Sequence, residues 1–141
     1  MCGIAGLIHR GKSSNVGREL TDMLQSLKHR GPDSTGFALY GNPKSGEYVL
    51  RFKVAEQEDM RHGFQIHHQV IERRAEVDRR LDELGVRRIS EDAATEYAFR
   101  YLVSFDGDMK KLADYVEDVE GAEILSIGNA LELVKDLGDA S

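Results

Sequence analysis

The chain has 141 residues, of which 40% are hydrophobic, and its 19 Lys and Arg stand against 25 Asp and Glu for a formal net charge of -6. That length suits one domain, or one plus an insertion, rather than a large multidomain enzyme, and the apolar fraction supports a core rather than a disordered chain. The acidic balance disfavours long-range attraction to a polyanion, so no nucleic acid partner is expected.

Residues 3–8 form a short apolar run with two glycines, which predicts a buried strand that something approaches closely. Leu20, Met23, Leu24 and Leu27 recur at helical spacing and predict about three turns of helix, stopped by Gly31-Pro32. Thr35 to Tyr40 reads as a second strand, closed by the turn-like GNPKSG at 41–46. From Glu47 the pattern changes. Tyr48, Leu50, Phe52 and Val54 alternate with Arg51 and Lys53 as in a half-buried strand. Val70, Val77, Leu81 and Leu84 mark one face of a charged helix, with Gly85 where a helix C-terminus favours glycine. A short edge strand is predicted over Val86 to Ile89, and the unbroken alternation of Tyr97, Phe99, Tyr101, Val103 and Phe105 predicts a longer one. Asp108 is placed to cap a helix carrying Met109, Leu112, Ala113 and Val116, followed by a strand over Ala122 to Ile127. Asn129 with Glu132 resembles a capping box for a final helix, stopped by Gly138.

The order from 47 to 127 is strand, helix, short strand, strand, helix, strand, which suits a ferredoxin-like α+β unit. Its expected core is Tyr48, Leu50, Phe52, Val77, Leu81, Tyr97, Phe99, Leu112 and Val116. The apolar start MCGIAGLI precedes His9, Arg10 and Lys12, the reverse of an export signal, and no stretch approaches the roughly 18 apolar residues that span a bilayer. A single cysteine forms no internal disulfide and needs no oxidising compartment, so a cytoplasmic location without membrane attachment is expected.

Cys2 carries the first chemical signal. Removal of the initiator methionine leaves a free amino-terminal cysteine, whose thiol lies within reach of its own α-amine. An amine with a reference pKa of about 7.7 to 8.0 accepts a thiol proton near neutral pH, so one residue supplies nucleophile and base. An ordinary small residue near the terminus is the plainer alternative, and position alone leaves both open.

A second segment, HRGPDSTG at 29–36, separates the first helix from the second strand. Together with MCGIAG at 1–6 it resembles the class II glutamine amidotransferases of the Ntn-hydrolase superfamily. The form HRGPDSTG followed by FALYG looks most similar to the small glutamate-synthase-type amidotransferase proteins, with asparagine synthetases as next neighbours. The resemblance covers residues 1 to about 41. It implies that the Cys2 thiolate attacks the side-chain amide of glutamine, releases ammonia and leaves a glutamyl thioester that water hydrolyses to glutamate. A separate synthase domain or subunit then uses the ammonia. It also implies that Arg30 and Asp33 lie beside the nucleophile and shape the pocket by charge-assisted hydrogen bonds, although an ion pair fixing the turn is an equal alternative.

Two parts of the family pattern are missing. No Gly-His-x-Arg-like segment holds the substrate carboxylate, and no Asn-Gly pair builds an oxyanion hole, since Asn15, Asn42 and Asn129 precede Val16, Pro43 and Ala130. The expectation is therefore the front part of a longer αββα Ntn-hydrolase amidotransferase domain, inactive by itself. Residues 1–46 would be its amino-terminal part, 47–127 an inserted ferredoxin-like unit, and 128–141 a helix leading back to the remainder. A non-catalytic regulatory or subunit-interface module is the competing reading.

Other clusters are assigned no site and no cofactor. His62, His67, His68 and Glu72 include one i,i+4 pair, His68 with Glu72, but a solvated helix face explains them better than a metal. Arg73, Arg74, Arg79, Arg80, Arg87 and Arg88 are interleaved with acids and read as helical ion pairs. Tyr97, Phe99 and Tyr101 read as core rather than as a base-stacking platform.

Overall fold

A computed structural model describes residues 2–12, 15–30, 33–61 and 63–138. The chain divides into two compact units, Met1–Phe37 with Lys135–Ser141, and Ala38–Val134.

In the first unit the expected strand at 3–8 does not form. The segment is free of any ladder, although Gly3, Ala5 and Leu7 are half-buried while Cys2, Ile4, Gly6 and Ile8 are exposed. Ile4 and Ile8 are 93% and 94% exposed. The period-2 alternation of a strand is present, but a strand also needs a neighbour to take its backbone N–H and C=O groups. Among the described residues no such neighbour flanks it. Helix α1 spans Val16–Ser26 with Leu20 and Leu24 half-buried. It ends earlier than Gly31-Pro32, which lie outside the described residues, because Leu27 and the short turn Lys28–Arg30 tighten it. There the Leu27 N–H bonds the Leu24 carbonyl at 2.9 Å and the Arg30 N–H bonds the Leu27 carbonyl at 2.8 Å.

Strand β1, Ser34–Tyr40, pairs with β6, Leu131–Leu137, in a two-stranded sheet. Of the helix expected over 128–141, Leu131–Leu137 is thus a strand, and 139–141 lie outside the described residues. A capping box and a short β-segment are hard to tell apart locally, and here tertiary partners decide. Glu132 does not turn back on Asn129 but reaches Arg51 and Arg100. Gly128 fixes a tight turn, since a Cβ there would lie 2.4 Å from the Leu131 carbonyl oxygen.

The second unit has the element order read from the sequence. Strand β2 is Glu47–Lys53, α2 Phe64–Glu83, β3 Arg87–Ala93, β4 Ala98–Ser104, α3 Met109–Glu117 and β5 Glu123–Gly128. Its sheet runs β3-β4-β2-β5, all antiparallel. β3 lies at the edge as expected but extends to Ala93, beyond Ile89. β4, which carries Phe99, and β1, which carries Ala38, belong to different sheets.

Local signals account for the helix ends. Gly85, at φ +73, lets its N–H bond the Asp82 carbonyl and the Val86 N–H bond the Leu81 carbonyl, both at 3.0 Å, which satisfies two orphan carbonyls of α2. The Asp108 carboxylate accepts from the Lys110 and Lys111 N–H groups at 2.9 and 3.3 Å. Leu50, Phe52, Val77, Leu81, Tyr97, Phe99, Leu112 and Val116 are buried as expected, while Tyr48 is half-buried against them. Leu50 opposes Tyr101 and Phe52 opposes Phe99 across β2 and β4, and the Phe52 and Tyr101 rings meet edge to face at 5.0 Å. Helices α2 and α3 cover that face of the sheet.

Candidate active site

The amino-terminal segment lies against the end of α1. Gly3 packs closely there: a Cβ at this position would stand 3.2 Å from the Leu27 Cβ and 3.6 Å from the Arg30 Cβ. The close approach expected of the two glycines is therefore real at Gly3, whereas nothing lies within 4 Å of a Cβ at Gly6. His9 ties the same segment to the helix, its Nε2 standing 2.8 Å from Glu19 Oε2. Cys2, immediately before Gly3, is an exposed free thiol.

HRGPDSTG runs from the end of this contact into β1. Arg30 and Asp33 are both exposed, and among the described residues no ion pair joins them, so the pair that would fix the turn is not formed. The backbone around Asp33 is held instead, because its carbonyl accepts from the Gly138 N–H at 3.1 Å and the Thr35 hydroxyl donates to the Gly138 carbonyl at 2.8 Å. The fold thus brings the neighbour of Cys2 beside Arg30, the second residue of that motif. Among the described residues the Arg30 guanidinium and the Asp33 carboxylate have no hydrogen-bond or ion-pair partner.

Of the arginines read as helical ion pairs, Arg74, Arg79, Arg80 and Arg88 are paired with acids, whereas Arg73 donates to the Val54 carbonyl at 2.8 Å and Arg87 is exposed with no ion pair among the described residues. Arg79 pairs with Glu76 and Glu83, and Arg80 with Glu76 and Asp118. Hydrogen bonds from Arg79 and then Arg80 hold the Glu76 carboxyl down at about 2. The Arg74 guanidinium lies 4.5 Å above the Phe99 ring and donates to the Tyr101 hydroxyl, which in turn donates to Asp78 at 2.8 Å. Burial raises the Asp78 carboxyl above its usual range, against the hydrogen bond from Tyr101 and the charge of Arg88. His68 and Glu72 stand 3.3 Å apart, both about two-thirds exposed, and His62 lies outside the described residues. Among the described residues no group of three or more His, Cys, Asp or Glu is placed to hold a metal, and no helix is long and apolar enough to cross a membrane.

One cluster was not foreseen. Arg51 and Arg100 are direct cross-strand partners, an opposition of like charges that is unfavourable by itself. Glu132 of β6 accepts from Arg51 Nε at 2.9 Å and from Arg100 Nε and Nη2 at 3.0 and 2.9 Å. The hydrogen bonds from Arg100 hold its carboxyl below the ordinary range, against the effect of burial. Two arginines at matching positions of alternating strands are visible in the sequence, but their shared acid follows only from β6 being a strand.

No family model and no solved structure matches the chain. In sequence it is similar to a protein named "Putative glutamine amidotransferase" from Methanothermobacter thermautotrophicus, 27% identical over 143 residues that cover 98% of this chain and 44% of that protein. It is also similar to "Glutamine amidotransferase-like protein GlxB" from Rhizobium meliloti, 29% identical over 142 residues, 98% of this chain and 42% of that one. The chain spans less than half the length of these curated relatives. Because 98% of it is covered, the similarity runs through both units, and residues 47–127 have a counterpart in each relative. The two names support a glutamine amidotransferase relationship.

Proposed function

We propose that this chain is the glutaminase part of a class II, Ntn-type glutamine amidotransferase, with Cys2 as nucleophile once Met1 is removed. In this reading the Cys2 thiol passes its proton to its own α-amine, and the thiolate forms a bond to the glutamine δ-carbon. The resulting oxyanion collapses, the C–N bond breaks and the α-ammonium returns the proton to the departing ammonia. Water then cleaves the γ-glutamyl thioester to glutamate and restores the thiol. Arg30 and Asp33 bind or polarise the substrate, and a synthase domain or subunit consumes the ammonia.

The observation that carries this reading is the approach of Gly3 to Leu27 and Arg30, which puts the residue after the nucleophile against the start of HRGPDSTG. The relatives' names independently support its coarser part, a glutamine amidotransferase relationship. Residues 47–127 are proposed as a ferredoxin-like unit inserted into the amidotransferase domain, a reading supported by the order of its elements and strands. The oxyanion donors and the arginine for the substrate carboxylate belong, in this proposal, to the part of the relatives that the chain does not span, so residues 1–141 alone turn over little glutamine.

The test uses the full protein. Cys2→Ala abolishes glutamate production from glutamine and leaves the reaction with free ammonia intact. Loss of both activities together assigns Cys2 a structural role and defeats the proposal.

A further inference from the structure

Strand β3 is an end strand of its sheet, and among the described residues no strand pairs with its outer side. The peptide groups of alternate residues in Arg87–Ala93 therefore point away from β4 with no ladder to receive them. The other end strand, β5, is partly occupied, because the Leu133 N–H donates to the Ser126 hydroxyl at 3.0 Å.

Charge along β3 is divided. Arg87 and Arg88 occupy its first half, Glu91 and Asp92 its second. A second β3 running parallel sets like charges against like, and an uncharged strand leaves all four unmatched. A second β3 running antiparallel meets opposite charges.

Which side chains meet depends on a bulge. Arg88 opposes Val103 and Ser90 opposes Leu102, so Ile89 is an extra residue between them. Opposed residues share a face of a sheet. Arg87, Ser90 and Asp92 accordingly lie with Ser104, Leu102 and Arg100 on the face away from the helices, and Arg88 and Glu91 lie with Val103 and Tyr101 on the helix face. In a regular strand Arg87 and Asp92, an odd number of residues apart, fall on opposite faces; the bulge puts them on one.

These two are also the charges with capacity to spare. Arg88 and Glu91 pair with each other and with Asp78, Asp82 and Arg74. Arg87 is exposed with no ion pair among the described residues. Asp92 is 64% exposed and stands 3.8 Å from Arg100, beyond hydrogen-bond reach, while Arg100 gives its hydrogen bonds to Glu132.

We propose that β3 pairs antiparallel with β3 of a second copy of this chain, about a two-fold axis between Ile89 and Ser90, so that Arg87 of each copy meets Asp92 of the other. The axis sets Ile89, 42% exposed, opposite Ser90 of the second copy and next to its Ile89, which removes an apolar side chain from water. One sheet then runs through both copies, and the contact is the same from either side. The proposal involves neither Cys2 nor the glutaminase reading.

Sedimentation velocity on the full protein tests it. The expected result is an assembly of an even number of copies. Arg87→Glu and Asp92→Arg, both at exposed positions, each turn two attractions across the axis into two repulsions, weaken the association by at least about a hundredfold and halve the mass. An equimolar mixture of the two variants recovers the wild-type mass, because the introduced acid then faces the introduced base while the native Arg87 and Asp92 face each other at the second contact. A monomeric wild type, an assembly unchanged by Arg87→Glu, or a mixture that stays at half mass overturns the pairing; the first of these is also the result if another part of the protein covers β3.

Discussion

Gly3 meets Leu27 at the end of α1 so closely that a Cβ at position 3 would stand 3.2 Å from the Leu27 Cβ. A separation of that size obliges one side to yield by a few tenths of an ångström. Leu27 is half-buried at the helix end, so the yielding side is the amino-terminal segment, which has no ladder to hold it.

Gly3→Val therefore pushes the amino-terminal segment, and Cys2 with it, away from the end of α1. In the full protein this change lowers glutamine turnover by about a hundredfold, the scale of a misplaced reacting group, and leaves the thermal midpoint nearly unchanged. A turnover equal to wild type, measured as glutamate released, would separate the contact from catalysis.

Intact mass gives a second check. The proposed base is the α-amine of Cys2, and a retained Met1 turns that amine into an amide nitrogen with no usable lone pair. Active protein is expected at the mass of a chain beginning with Cys2, and activity in protein that keeps Met1 excludes the proposed base.

Glu132 is predicted to stabilise the second unit by separating two opposed arginines. Its side chain and that of Arg51 are only 21% and 13% exposed, so Glu132→Gln leaves like charges facing each other with little solvent screening. The expected cost at pH 7 is about 1 to 3 kcal/mol in urea unfolding. Because the hydrogen bonds from Arg100 depress the folded pKa below the ordinary 4.5, the stabilisation is present above 4.5 and is lost as pH falls through the lower folded value. The gap between wild type and Glu132→Gln accordingly narrows as the pH falls below 4.5. A gap that stays constant over that range would show that charge is not its source.

Tyr101→Phe probes the polar link inside the core. Its hydroxyl accepts from Arg74 Nε at 2.9 Å and donates to Asp78 at 2.8 Å, on a side chain that is otherwise fully buried. Arg74 keeps Glu91 and Asp78 keeps Arg88, so the loss is partial, about 1 to 2 kcal/mol by chemical denaturation. No change in midpoint would mean that the two flanking ion pairs carry the network alone.

The proposed site rests on signals that lie in the residues themselves. A cysteine behind the initiator and an HRGPDSTG segment are local facts, and so are the ends of α2 at Gly85 and of α3 at Asp108. The alternation in β2 and β4 was equally plain, because each of those strands packs one face on the helices and its period of two records that burial. Tertiary structure decided the rest. Residues 3–8 have a strand's alternation but no flanking partner to complete a ladder, and Leu131–Leu137 is a strand because β1 takes its backbone groups and Arg51 with Arg100 takes Glu132. The contact of Gly3 with Leu27 and Arg30 joins residues more than twenty apart in sequence, and no local preference encodes it. Pairing and close approach depend on which groups meet across the fold, and that is a property of packing rather than of any single segment.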